Sequence, residues 1–248
     1  MKLFDSHFHI IDYKYHIIEN EGYLPPNYSF QDYKKDTKNL NLAGGTVVSG
    51  SFQGFDQQYL IHALSKLGKN FYGVTQLPID VSNQEILSLK QKRVTAVRFN
   101  IQRGGIESLK KLRYFSERIY ELAGWHTEIY LNAKTLTQIK DTLKSLPRVS
   151  IDHLGLSKEG LPTLLDLVDH GIHVKATGFG RGDLDVADAM KQIHNVNPEA
   201  LMFGTDLPST RSPRPFSKKD IQLIQETFDD QACENIFYRN ALNWYQKR

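Results

Sequence analysis

The segment KLFDSHFHI, residues 2–10, sets Asp5, His7 and His9 at alternate positions within an apolar stretch. Side chains two apart on an extended strand share a face, so the two imidazoles can meet at one strand end. Paired imidazoles suit a divalent cation such as zinc. A bare His-x-His also recurs by chance, and is then only a polar start to a strand. The chemistry needs partners from elsewhere in the chain. Asp206 is the most telling, because in ALMFGTDLP it ends an apolar run just before Leu207-Pro208 forces the chain out of regular pairing. His153, in RVSIDHLG, is a further candidate. A cation held by such groups polarises a carbonyl and acidifies a bound water. Asp206 would then take that proton and deliver it to a leaving oxygen, or serve mainly as a ligand. Spacing leaves both roles open.

For these residues to act together, distant segments must bring them to one end of a fold. Eight short apolar runs read as strands: KLFDSHFHI, GGTVVSG, NFYGVTQL, VTAVRFN, HTEIYLN, RVSIDHLG, HVKATGF and ALMFGTDLP. Between them lie helical patterns. The first, SFQDYKKDTKNLNLAG, opens with Ser29 as cap and Asp32 at the capping-box position, followed by Phe30, Tyr33, Thr37 and Leu40 at helical spacing. A later stripe of Ser108, Leu109, Leu112, Phe115, Ile119 and Leu122 ends at Gly124. Eight strand–helix units point to an α/β architecture closed as a parallel (β/α)8 TIM barrel. An open doubly wound sheet is the alternative, but no Gly-x-Gly-x-x-Gly turn follows the first strand. In a barrel all βα loops emerge on one face, where active sites form.

The chain has 248 residues, 40% of them apolar, enough to bury a large core as one domain over 1–248. Its net charge of +3, from 31 basic and 28 acidic residues, is too balanced to mark a nucleic-acid surface. The lone Cys233 permits no intrachain disulfide and agrees with a reducing compartment. No leader-like start and no apolar run near the roughly 18 residues of a membrane span point to a cytoplasmic protein that uses no membrane. A homo-oligomer is compatible with all of this.

At the strand ends, Arg98 and Asn100 share a face, and Arg98 either grips a substrate carboxylate or ties strand four to a neighbouring acid. Arg103, Arg181, Arg211 and Arg214 fall in candidate loops of the same face; Gly178, Gly180 and Gly182 relax the chain around Arg181. Tyr130, on the face of Glu128, offers a hydrogen bond or a ring wall. This set suits a small anionic or strongly polar molecule. His126 and His173 begin strands and His62, His170 and His194 sit in helical patterns, so all five rank as structural. His16 lies in the tyrosine-rich loop DYKYHIIENEGYLPPNYS, which could cover the site.

The pieces FDSHFH, VRFN, GWHTEIYL, IDHLG, VKATGF, FGTDLP and IFYRNALNWY occur in this order along almost the whole chain. Together they resemble the amidohydrolase superfamily, specifically the amidohydrolase-related group that includes 2-pyrone-4,6-dicarboxylate lactonase and sugar-acid lactonases. The resemblance implies a distorted (β/α)8 barrel and the hydrolysis of a lactone. It maps metal ligands onto His7, His9, His153 and Asp206, with Asp206 and His153 as the catalytic pair. Arg98, Asn100, Tyr130, Arg181 and Arg211 are the substrate-binding set. Strand four offers Arg98 and Asn100 where a two-metal member has a carboxylated lysine or a glutamate, and strand seven presents Lys175 and Thr177 rather than another histidine. At most one divalent ion is therefore expected, zinc by preference, and the group also contains a metal-free type. Glu128 stands where related sequences often carry glutamine, and is a further candidate ligand or substrate contact. Two alternatives accompany lactone hydrolysis: non-oxidative decarboxylation, and a barrel without chemistry that binds a small anion.

Overall fold

Parallel pairing in chain order builds the molecule, seen in a computed structural model that describes residues 1–101 and 107–246, with only the backbone over 107–110. The strands are β1 (Leu3–Phe8), β2 (Leu42–Val48), β3 (Phe71–Thr75), β4 (Val94–Asn100), β5 (His126–Tyr130), β6 (Val149–Ile151), β7 (His173–Ala176) and β8 (Leu201–Phe203). Each pairs with the next in one eight-stranded sheet. The seam between β8 and β1 closes through backbone just past the strands. There the Asp206 N–H donates to the His7 carbonyl and the His9 N–H to the Leu207 carbonyl, both at 2.7 Å. Gly204 makes this approach feasible, because a Cβ there would stand 2.9 Å from the His7 backbone nitrogen. The result is a distorted TIM barrel that is nearly closed by strand pairing.

Helices follow the strands as the sequence patterns require. In α1 (Phe30–Asp36) the Ser29 N–H donates to Asp32 Oδ2 at 2.8 Å and the Asp32 N–H returns to Ser29 Oγ at 3.3 Å. This helix is shorter than its pattern suggests. The Thr37 hydroxyl folds back onto the Tyr33 carbonyl at 2.7 Å, and Leu42 and Gly44 instead extend β2, opposite Leu3 and Phe4. Then come α2 (Gln58–Leu67), α3 (Asn83–Gln91), α4 (Glu107–Ala123), α5 (Leu136–Ser145), α6 (Leu161–Asp169), α7 (Val186–Val196) and α8 (Lys218–Thr227). The stripe expected on α4 is present, with Leu112, Phe115 and Ile119 fully buried against the sheet. Ser108 and Leu109 fall among the residues whose side chains are not described. No described helix is long and apolar enough to cross a membrane.

The strand interiors divide the barrel into layers. Apolar positions such as Val97, Ile129, Val174 and Phe203 face the helices, whereas Arg98, Glu128 and Lys175 are buried inside. β1 does not alternate evenly. Asp5 pairs with Gly45 but Phe8 with Val47, so one extra residue bulges from β1 between them. Phe4 consequently stacks on Tyr245 at the barrel foot with ring centroids 5.5 Å apart, and His7 still reaches the interior above it. Asp5, which strict alternation would put on the His7 face, turns outward instead. It accepts from the Tyr33 hydroxyl at 3.0 Å and the Thr205 hydroxyl at 2.7 Å, pinning β1 to α1 and to the chain after β8.

The C-terminal segment continues through α9 (Asp230–Glu234), one wide π turn over Asn235–Arg239 and α10 (Asn240–Gln246). It stoppers the foot of the barrel. Trp244 lies between the Arg148 guanidinium, 4.4 Å from its ring centre, and the His173 ring, stacked at 4.0 Å. Tyr245 pushes its hydroxyl up to Glu128 at 2.6 Å.

Candidate active site

At the opposite end the strands stop early. β6 and β8 have three residues each and β7 has four, shorter than their apolar runs. The residues just beyond them therefore turn across the mouth. His153 and Asp206 do so with φ of +52° and +59°, conformations that non-glycine residues adopt rarely and that concentrate at functional sites. Gly178 accommodates His153, since a Cβ there would sit 2.6 Å from the imidazole Nδ1.

His7 and His9 meet as their spacing suggests, with ring centroids 5.1 Å apart and planes at 90°. His9 Nδ1–H donates to the Val48 carbonyl at 2.7 Å; a carbonyl can only accept, so Nε2 keeps its lone pair. That Nε2 lies 3.8 Å from Asp206 Oδ1, and His7 Nε2 lies 3.9 Å from the same oxygen. Arg181 holds the other carboxylate oxygen, Oδ2, through Nε at 2.8 Å and Nη2 at 2.7 Å. Oδ1 is thus left facing two imidazoles. Both it and His7 Nε2 are buried with no hydrogen-bond partner among the described residues.

Unpaired buried acceptors are costly, and this donor set is the one a divalent cation satisfies. With metal–ligand bonds of about 2.0–2.2 Å, neighbouring ligand atoms stand roughly 3–4 Å apart. The separations around Asp206 Oδ1 meet that test. His7, His9 and Asp206 form one buried group whose ligand atoms lie within 4.8 Å of one another; His7, Asp152 and His153 form a second. The second already has cations beside it, with Arg98 Nε 2.8 Å and Lys175 Nζ 3.6 Å from the Asp152 oxygens. The first group is therefore the better cradle. His153 joins it from the side, its ring 4.8 Å from His7 and its Nδ1 unpartnered.

Burial dominates the titration of this cluster. It pushes the pKa of Asp206 up, against the pull of Arg181, and pushes His7, His9 and His153 down. Neutral imidazoles at neutral pH are what metal ligation requires. Asp152 behaves oppositely: burial would raise it, but the charges of Arg98 and Lys175 hold it well below the usual carboxylate range.

Above the cluster lies a pocket of about 400 Å³, part of it open to solvent. His9, Arg98, Asn100, Tyr130, His153, Arg181 and Arg211 all line it, so six of the residues anticipated from sequence meet there beside His9. Arg98 makes the structural tie, to Asp152 at 2.8 Å and to the Ser49 carbonyl at 3.1 Å, and its guanidinium also borders the pocket, 4.8 Å from the Tyr130 ring centre. Arg211 lies over the Tyr23 ring at 4.5 Å and joins the 12–28 loop through Glu21 at 3.3 Å. That loop does reach the mouth, but through Tyr23; His16 is exposed and does not line the pocket. Arg214 turns away to Asp220 at 2.7 Å, and Arg103 lies outside the described residues.

Glu128 sits one layer below the mouth. Its Oε1 accepts from Tyr245 at 2.6 Å and neighbours His126 Nε2 at 3.1 Å, while Oε2 pairs with Lys175. Neither described ligand group includes it. Asp152 and Lys175 are the residues that sequence reasoning undervalued. Asp152 was visible only as the neighbour of His153, and Lys175 only as a departure from a motif.

A family model described as amidohydrolase matches residues 4–247. The chain belongs to the amidohydrolase family. Among curated relatives it is 26% identical to a 4-sulfomuconolactone hydrolase of Hydrogenophaga intermedia, over 82% of this chain and 74% of that protein. It is 31% identical to a 2-pyrone-4,6-dicarboxylate hydrolase of Comamonas testosteroni, over 47% of this chain and 39% of that protein. A crystal structure from Acinetobacter baumannii, described as a probable 2-pyrone-4,6-dicarboxylic acid hydrolase with citric acid bound, superposes with a TM-score of 0.86. It covers all of both chains at 22% identity, a likeness of fold.

Proposed function

We propose that this amidohydrolase opens a small carboxylated lactone by attack of water on the ring carbonyl. The observation that carries the reading is the Asp206 carboxylate: one oxygen clamped by Arg181, the other unpartnered and aimed at His7 and His9 beneath an arginine-lined pocket. The names of the two curated relatives, both hydrolases of acidic lactones or pyrones, support the substrate class.

His7, His9 and Asp206, with His153 alongside, would hold one divalent cation, zinc by its preference for nitrogen and oxygen donors. When bound, such an ion polarises a carbonyl oxygen and acidifies water. Asp206 Oδ1 takes the proton of the attacking water and returns it to the ring oxygen as the acyl–oxygen bond breaks. Its raised pKa suits the first task, since burial makes the carboxylate a stronger base toward the attacking water. Arg181 keeps the carboxylate from rotating. Arg98, Asn100, Tyr130 and Arg211 wall the pocket and orient the carboxylate of the substrate.

Charge balance supports an anionic substrate only in the loaded state. Among the described residues, Arg98, Lys175, Arg181 and Arg211 are matched by Asp152, Glu128, Asp206 and Glu21. The protein groups alone are close to neutral, and a divalent cation would turn the mouth positive.

The test is a panel of carboxylated lactones and their neutral counterparts, followed by acid release with metal-replete and chelated protein. Ring opening confined to the carboxylated members is expected. Carbon dioxide evolution without ring opening would establish decarboxylation instead, and binding without either product would leave a small-anion carrier.

A further inference from the structure

The His7 ring has a choice that His9 does not. Its Nδ1 stands within hydrogen-bond distance of Lys175 Nζ, a donor, at 3.3 Å, and 3.4 Å from Asp152 Oδ1, a buried acceptor with no hydrogen-bond partner among the described residues. Lys175 Nζ is in turn 3.6 Å from the same Asp152 oxygen. Two proton arrangements fit this triangle. In one, Nδ1–H points to Asp152 and Nε2 carries the lone pair that faces Asp206. In the other, the ammonium donates to Nδ1, the proton sits on Nε2, and the ring can no longer serve as a ligand there.

We propose that Glu128 is the positioning residue that decides between them: it draws the Lys175 ammonium onto its own Oε2, leaving Nδ1–H of His7 to Asp152 and Nε2 open toward Asp206. Glu128 is well placed for this. It is completely buried, and its other oxygen is fixed by the Tyr245 hydroxyl at 2.6 Å, with His126 Nε2 at 3.1 Å. The ion pair lies directly beneath the mouth, and charges in the low-dielectric interior act strongly over such distances. Without the Glu128 carboxylate, the remaining contacts of Lys175 Nζ among the described residues are Asp152 Oδ1 and His7 Nδ1. The ammonium then competes for the nitrogen that must stay protonated. Because Tyr245 belongs to the C-terminal helix, the stopper at the barrel foot is connected to the mouth through three buried side chains. The inference rests on the reading of His7 as a ligand, and assigns Glu128 a role below the cation rather than on it.

Ring nitrogen NMR on protein with 15N-labelled histidine, metal-free and folded, reads the His7 tautomer directly, with the signal assigned by its loss in His7→Ala. The expected result is Nδ1–H in the wild type and a shift toward Nε2–H in Glu128→Gln. Zinc affinity, measured by chelator competition, should fall by about 10- to 100-fold in Glu128→Gln, the range for loss of a group that orients a metal-ligating histidine. Because Glu128→Gln strands a buried ammonium, a second variant guards against loss of folding: Glu128→Gln/Lys175→Met removes both charges. It should restore Nδ1–H and bring zinc affinity back near the wild-type value, which a merely structural ion pair would not do. The same tautomer in wild type and Glu128→Gln, or a folded double variant that shows Nε2–H, would overturn the proposal. A wild type that takes up no zinc would instead remove the cation from the functional reading, and the metal-free tautomers would still decide the role of Glu128.

Discussion

Asp206 and Glu128 show how the same carboxylate chemistry is put to opposite uses a layer apart. Burial raises Asp206 and leaves one of its oxygens unpartnered, a poised base. Burial would raise Glu128 too, but Lys175 and His126 outweigh it and bring it down to about 2, from an ordinary 4.5. A depressed acid stabilises the fold above its unfolded pKa and loses that contribution as pH falls through the folded value. Wild-type stability to urea should therefore drop between pH 4.5 and about 2, and the double variant Glu128→Gln/Lys175→Met should show a shallower slope over that window. Equal slopes would mean that Glu128 is not held ionised. At this scale the sequence was legible where residue type and spacing act locally, as for His7 and His9. Asp152 and Lys175 were not, because their meaning depends on a meeting across strands β6, β7 and β1 that no local spacing encodes.

The elements place these groups through their ends and irregularities. Gly204 lets the chain after β8 lie against β1, and a methyl there would press on the His7 backbone at 2.9 Å. Gly204→Ala should cost about 1–3 kcal/mol, the usual range for overpacking, and should lower activity beyond what the stability loss explains. Thermal unfolding together with kcat/KM checks both. Alternation of apolar runs with helical stripes revealed all eight strand–helix units, since each needs only its own hydrophobic period. The bulge in β1 stayed hidden, because strict two-residue alternation puts Asp5 and His7 on one face. The short β6 and β8 were hidden for a related reason. Apolar residues continue past the last ladder bond, so hydrophobicity does not mark where the backbone turns toward the mouth.

The whole molecule is a barrel with a working end and a stoppered end. The stopper is α10, and Trp244 anchors it between Arg148 and His173. Trp244→Ala should destabilise the fold by about 3–5 kcal/mol, as for other large aromatic truncations in cores, read from the urea midpoint. A loss below 1 kcal/mol would mean that the foot is closed by other contacts. The overall architecture was readable from the order of motifs along the chain, whereas the near-cancellation of charge at the mouth emerged only from the ion pairs. The central claim concerns Asp206, and acid release from a carboxylated lactone by wild type and Asp206→Asn, at matched metal content, tests it most directly. The amide keeps the shape and removes the base, so kcat/KM should fall by about 10²- to 10⁴-fold, the contribution of a positioned proton-transfer group. An Asp206→Asn enzyme that opens the ring at the wild-type rate would contradict the account.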